Sequence, residues 1–280
     1  MPGTPSHDAF STRTLSVDDY AALQRHAADR NVVFFTTPGD LPSLAICAQL
    51  KLPALKISSG MLTNLPVLRA AAGLGLPLIL SSGGAHLWEV GRSVEEVVAA
   101  GAKELALLHC VSIYPTPLDE VRLRAMQTLA AAFPYPVGYS DHTLDSTVCV
   151  AAVALGACII EKHVTLDRRR QGADHAIAAE PKELAELVKQ IRACETALGQ
   201  TGKRPAPGET RFRTAFRRRL VALDDIPAGT VLTPGLVGIM RPLVDRGLAP
   251  EFLEWALGAR TTRPLRRHEP IALESITQRD

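Results

Sequence analysis

Charge of one sign is what this sequence most plainly lacks: 31 Lys and Arg stand against 29 Asp and Glu, leaving +2 over 280 residues. So even a balance implies no polyelectrolyte partner, and nucleic acid is excluded as the expected ligand. Cysteine is sparse too. The five present, Cys47, Cys110, Cys149, Cys158 and Cys194, are unclustered and lie mostly in apolar runs. That spacing excludes a disulfide framework and a zinc knuckle, and the residues read as reduced core thiols of a cytoplasmic protein. No apolar span reaches the roughly 18 residues a membrane helix needs, and no stretch reads as a signal peptide, so no membrane role is expected. A Gly-rich dinucleotide fingerprint is missing after every apolar run.

What is present is enough apolar material, 46% of residues, for a large core and a smaller second domain. Residues 1–13, rich in Pro, Gly, Ser and Thr, are expected to be disordered or frayed. Ser16 with Asp19 three residues on predicts a capped helix to about Arg30. One phrase then repeats: a short apolar run, a small or charged polar residue at its end, and an amphipathic helix. The runs are Val32–Thr37, Ala54–Ser58, Pro77–Ser82, Leu105–Cys110, Pro136–Asp141 and Cys158–Val164, starting about 22 to 31 residues apart. This is the pitch of βα units in a parallel sheet covered on both faces. The fold class is α/β, a TIM-type (β/α) barrel that is incomplete, since closure takes eight strands and six are visible. Pro181 to Leu198 predicts one more helix, ending a barrel domain over 1–198. Residues 199–219 read as a linker. Its run Arg217, Arg218, Arg219 is either a solvated face or a phosphate contact. Short strands and turns predict a small β-rich module over 220–280.

The organising stretch is Pro136 to His175. One apolar run ends in Ser140-Asp141-His142 and the next in Glu161-Lys162-His163, with an Ala/Val-rich crossover helix over 146–155 stopped by Gly156. Parallel neighbours put their C-terminal ends side by side, so His142 and His163 should converge at one mouth. With Asp141, Glu161 and Asp174 nearby, the pair suits a divalent metal; alternatively one imidazole is a hydrogen-bonded structural residue. Other strand ends offer Thr36-Thr37, Lys56 with Ser58-Ser59-Gly60, Ser81-Ser82-Gly83-Gly84, and His109 with Ser112. Together these suit a phosphate or carboxylate. Lys56 stands out because a lysine ending a buried strand needs a partner. It fits an anion site or a Schiff-base aldolase. Tyr114, before Pro115, either lines a sugar site or packs its loop. The polar loop Arg170–Asp174 is placed as a lid or as plain surface.

LLHCVSIYPTP, GYSDHTLD, Glu161-Lys162-His163 and QGADHAIAAEP resemble the sialic acid (N-acetylneuraminate) synthase family. RRRLVALDDIPAGTVLTPGLVGIMRP resembles its C-terminal SAF, or antifreeze-like, domain. The likeness runs from about Ser16 to Ile276. It implies condensation of phosphoenolpyruvate with N-acetylmannosamine, or a related or 6-phosphorylated hexose, to a nine-carbon sialic acid and phosphate. It further implies a Mn²⁺ or Mg²⁺ ion and a domain-swapped homodimer. By the same resemblance His142 and His163 hold the metal, and Thr37, Lys56, Ser59, Ser81, Ser112 and Ser140 lie on the phosphoenolpyruvate side. Glu161 sits beside the reacting carbons, Tyr114 and Asp174 match sugar-binding positions, and Arg241 matches an arginine that reaches the partner's site. Several positions depart from the family pattern. Ser112 replaces a typical Asn, Met61 a common Glu, and the usual Gly after Arg241-Pro242 is missing. The first two barrel strands, which carry a Glu, a Lys and a Gln of the site, have no counterpart here. The visible strands correspond to the third through eighth, in a chain either truncated or naturally reduced. The competing reading is therefore a non-catalytic or partner-dependent homologue that binds sugar or phosphoenolpyruvate.

Overall fold

A computed structural model describes residues 14–172, 174–242 and 246–277; the stretch 1–13 expected to be disordered lies outside them. The chain divides into two compact units after Gly199.

In the first unit, five parallel strands pair in sequence order: β1 Leu55–Ile57, β2 Leu78–Ser81, β3 Leu105–Cys110, β4 Val137–Asp141 and β5 Ile160–Lys162. Helices α1 Val17–Ala28, α2 Leu41–Gln49, α3 Leu65–Ala72, α4 Leu87–Ala99, α5 Ala125–Ala132, α6 Thr147–Ala154 and α7 Pro181–Leu198 alternate with them or flank them. The starts follow from sequence. Ser16 and Asp19 form a reciprocal capping box on α1, and Asp40 with Ser43 does the same for α2. The crossover helix α6 stops where Gly156 takes φ +102°. The core lies between sheet and helices, with Leu55, Ile57, Leu68, Leu80, Leu107 and Tyr139 nearly inaccessible. The curled parallel sheet is a partial (β/α) barrel.

Val32–Thr37, expected as the first strand, makes only a single parallel bridge, Thr36 to Leu55. Val32 and Val33 are 59% and 69% exposed. An apolar run becomes a strand only where a neighbour pairs it, and on its outer side this run has none among the described residues. The opposite edge carries one bridge, Val164 to Ala179.

In the second unit, α8 Thr210–Phe216 lies within the span read as a linker. Two antiparallel pairs follow: β6 Arg219–Ala222 with β7 Val237–Met240, and β8 Arg260–Thr261 with β9 Ile276–Thr277. Between these pairs comes the single-turn helix α9 Leu253–Ala256. Leu220, Ile226, Leu232, Leu265 and Ile271 form a separate core.

Candidate active site

Parallel strands bring their C-terminal ends to one rim, and side chains alternate between faces. On β4 and β5, Ser140 is register partner of Glu161, and Asp141 of Lys162. Ser140 and Glu161 face a cleft of about 530 Å³ at that rim. His142 and His163, one pleat further on, line it too. Thr37, Lys56, Ser59 and Ser81 line the same cleft, as do Ser112 and Tyr114. Ten of the twelve candidate residues thus share one cavity.

Lys56 is 7% exposed, and its Nζ lies 3.3 Å from Glu161 Oε2 and donates to the Ile57 carbonyl at 3.3 Å. The Ser140 hydroxyl donates to Glu161 Oε1 at 2.6 Å. The Gly83 N–H donates to Ser59 Oγ at 2.9 Å. Ser81 Oγ is the one buried side-chain polar atom among the described residues with no protein partner, and it lines the cavity. An ammonium, several hydroxyls and an unpaired buried oxygen make a cradle for a phosphate or carboxylate.

The His142 and His163 rings lie 5.2 Å apart, centroid to centroid, close enough to share one ion. His142 Nδ1 donates to the Val111 carbonyl at 2.8 Å, leaving Nε2 for a ligand. A backbone acceptor on the far nitrogen is the usual support of a metal-bound imidazole. His163 Nδ1 is 3.9 Å from Asp174 Oδ2. Burial holds the His163 pKa below the ordinary imidazole value against the pull of Asp174, which favours the neutral, ligating form. No group of three His, Cys, Asp or Glu able to hold a metal occurs among the described residues. Burial lowers the His142 pKa, but its contacts with Cys110 and the Val111 carbonyl outweigh this and hold it above the ordinary imidazole value, so an ion there displaces a proton. Two imidazoles with open positions still fit a divalent transition ion. The Tyr114 ring lies tilted 38° against His142 at 4.1 Å and meets His163 edge-on at 5.9 Å, so it packs on both imidazoles.

Several expectations need correction. Asp141, placed near the metal from sequence, is 1% exposed and points away from the cleft, bonded to Tyr139, Thr143, Cys149 and Lys162. Strand alternation requires this once Ser140 faces inward. For the same reason His109 turns to the helix side, where its Nε2 donates to the Val121 carbonyl at 2.8 Å. Asp174 stands at the margin of the cavity rather than in its lining. Arg241 belongs to the second unit, its guanidinium 4.2 Å from the centre of the Phe216 ring.

Sequence reasoning missed Cys110, which lines the cleft with Sγ 3.9 Å from both His142 Nδ1 and Ser112 Oγ. Burial pushes its thiol pKa up, yet the contacts with His142, Ser59 and Ser140 outweigh this and bring it below the ordinary thiol value. The signal was available: Cys110 is register partner of Ser140 on the neighbouring strand.

A parallel sheet with polar chemistry gathered at its C-terminal rim defines a barrel-type α/β enzyme. The NeuB family model matches residues 3–203, and a SAF domain model matches 217–277. The chain belongs to the NeuB family and carries a SAF domain. It is an enzyme of the sialic acid synthase type. It is 40% identical over 259 residues to N,N'-diacetyllegionaminic acid synthase of Campylobacter jejuni, covering 92% of this chain and 77% of that one. Against human N-acetylneuraminate-9-phosphate synthase it is 36% identical over 262 residues, covering 93% and 72%. Among solved structures, the N-acetylneuraminic acid synthetase of Leptospira borgpetersenii superposes with a TM-score of 0.67 at 38% identity, covering 72% of each chain. No helix among the described residues is long and apolar enough to cross a membrane.

Proposed function

We propose that this enzyme condenses phosphoenolpyruvate with the open-chain aldehyde of an N-acetylated hexosamine, N-acetylmannosamine or a relative, free or 6-phosphorylated. The products are a nine-carbon sialic acid-type sugar and inorganic phosphate. The observation that carries this reading is the meeting of an anion cradle (Lys56, Ser59, Ser81) and the imidazole pair His142/His163 in one cavity. The names of its relatives point the same way.

Lys56 and the hydroxyls of Thr37, Ser59, Ser81, Ser112 and Ser140 hold the phosphate and carboxylate of phosphoenolpyruvate. C3 of the enol phosphate forms the new bond to the aldehyde carbon, and the aldehyde oxygen takes a proton. Positive charge develops at C2, and the Glu161 carboxylate, steadied by Ser140 and Lys56, stabilises it. Water adds at C2, and the bond from C2 to the bridging oxygen breaks as phosphate leaves. A divalent ion, Mn²⁺ or Mg²⁺, held by His142 and His163 would polarise the aldehyde as a Lewis acid. Tyr114 and Asp174 border the sugar, and Arg241 reaches the site of a second subunit in a domain-swapped homodimer. The cytoplasm is the compartment this reading implies.

Phosphate release from phosphoenolpyruvate, Mn²⁺ and each acceptor tests it. Acceptor-dependent release that EDTA abolishes and Mn²⁺ restores is the expected result. No release with any N-acetylated acceptor would leave the protein a binder.

A further inference from the structure

The two imidazoles sit on loops just past β4 and β5, so something must set the distance between them. On the cleft side the strands are joined by the Ser140–Glu161 hydrogen bond. The register partners Asp141, turned away from the cleft, and Lys162, which also borders it, form a buried ion pair at 2.6 Å, their side chains 0% and 6% exposed. Asp141 also accepts from the Thr143 N–H at 2.9 Å, the Tyr139 hydroxyl at 3.1 Å and the Cys149 thiol on α6 at 3.2 Å. Lys162 Nζ donates in turn to the Thr143 carbonyl.

These contacts bracket the imidazoles. Residues 141 and 143 flank His142 and are both tied to Lys162, whose neighbour is His163. A buried ion pair is a poor source of stability, because desolvation offsets most of its attraction. Charge-assisted hydrogen bonds of fixed length are nonetheless an effective spacer.

We propose that Asp141 and Lys162 are positioning residues whose pairing fixes the separation and orientation of the imidazoles at 142 and 163. The role rests on the metal-holding function proposed above for those imidazoles. Neither residue touches substrate in this assignment; both act through the backbone that carries the ligands.

The test uses the full chain with ¹³C-labelled histidine rings, first metal-free. Wild type should show a nuclear Overhauser contact between the His142 and His163 rings. Lys162→Met, and the double variant Asp141→Asn/Lys162→Met, which leaves no uncompensated buried charge, should lose it while retaining a cooperative thermal transition. Mn²⁺ titration followed by electron paramagnetic resonance should then give a dissociation constant raised 10- to 100-fold. Leu68→Ala, a core truncation on α3, supplies a destabilised control whose ring contact and Mn²⁺ affinity stay as in wild type. A double variant that folds and keeps the ring contact overturns the assignment, whatever its metal affinity. If wild type binds no Mn²⁺ while the ring contact still depends on the ion pair, the metal reading fails and the positioning role stands.

Discussion

Lys56 and Glu161 sit on β1 and β5, first and last strands of the sheet, yet their side chains meet at 3.3 Å. The sheet therefore curls until its first and last strands face each other across the rim. Lys56→Met removes the ammonium from the anion cradle and releases Glu161. We expect kcat/KM for phosphoenolpyruvate to fall by about 100-fold or more, the usual cost of one charged donor at a reacting centre. Lys56→Arg should recover only part of the loss. Steady-state phosphate release measures both, and near-normal kinetics in Lys56→Met would remove the residue from the site.

Two glycines separate binding from folding. A methyl group added at Gly83 would strike the hydroxyls of Ser112 and Ser59 and come within 3.1 Å of Cys110 Sγ, all side chains that can rotate aside. Gly83→Ala should raise KM for phosphoenolpyruvate by crowding the cradle, with Tm little changed. At Gly138 the same methyl meets the Ile159 carbonyl at 2.5 Å and Ile159 Cβ at 2.7 Å, backbone and branch point of the residue just before β5, which cannot rotate aside. Gly138→Ala should cost about 1–3 kcal/mol, seen as a lower urea midpoint. Equal effects from the two variants would contradict the distinction.

His109 gives a pH signature. Burial holds its imidazole pKa below the ordinary value, more than the Val121 carbonyl raises it. Below an ordinary value of about 6.5 the unfolded chain therefore binds a proton the folded one refuses. The stability this residue contributes is complete above that pH and is lost as pH falls through it toward the folded value. Urea midpoints at pH 7 and pH 5 should differ less in His109→Gln than in wild type; equal differences would refute the coupling.

The proposed crossing of Arg241 to a partner subunit can be checked with mixed dimers. Arg241→Ala should raise the sugar KM while Mn²⁺ still binds. Dimers with Arg241→Ala on one chain and His142→Ala on the other should keep one intact site and about half the activity. If the arginine serves its own chain, each site would lack one residue, and such dimers would show only the raised sugar KM of Arg241→Ala.

Most of the sheet was legible in the sequence, because from Ala54 onward each apolar run has a parallel neighbour and each helix a start signal or a stop. Val32–Thr37 has the same composition and fails as a strand, since pairing depends on a partner that composition cannot reveal. Apolar runs with polar ends located the cleft but did not say which way each residue pointed. Alternation decides that: it turns Asp141 and His109 outward and brings Cys110 in. The helix Thr210–Phe216 was hidden among Arg and Thr, with too few apolar positions to set a period.

The inward curl has an implication for how such a site could diversify. The residues proposed to serve every acceptor line the rim from β1 to β5, so the walls at its margin, where Asp174 stands, can be exchanged without disturbing them. Chimeras that replace only those walls would then alter which sugar is accepted and spare the shared chemistry.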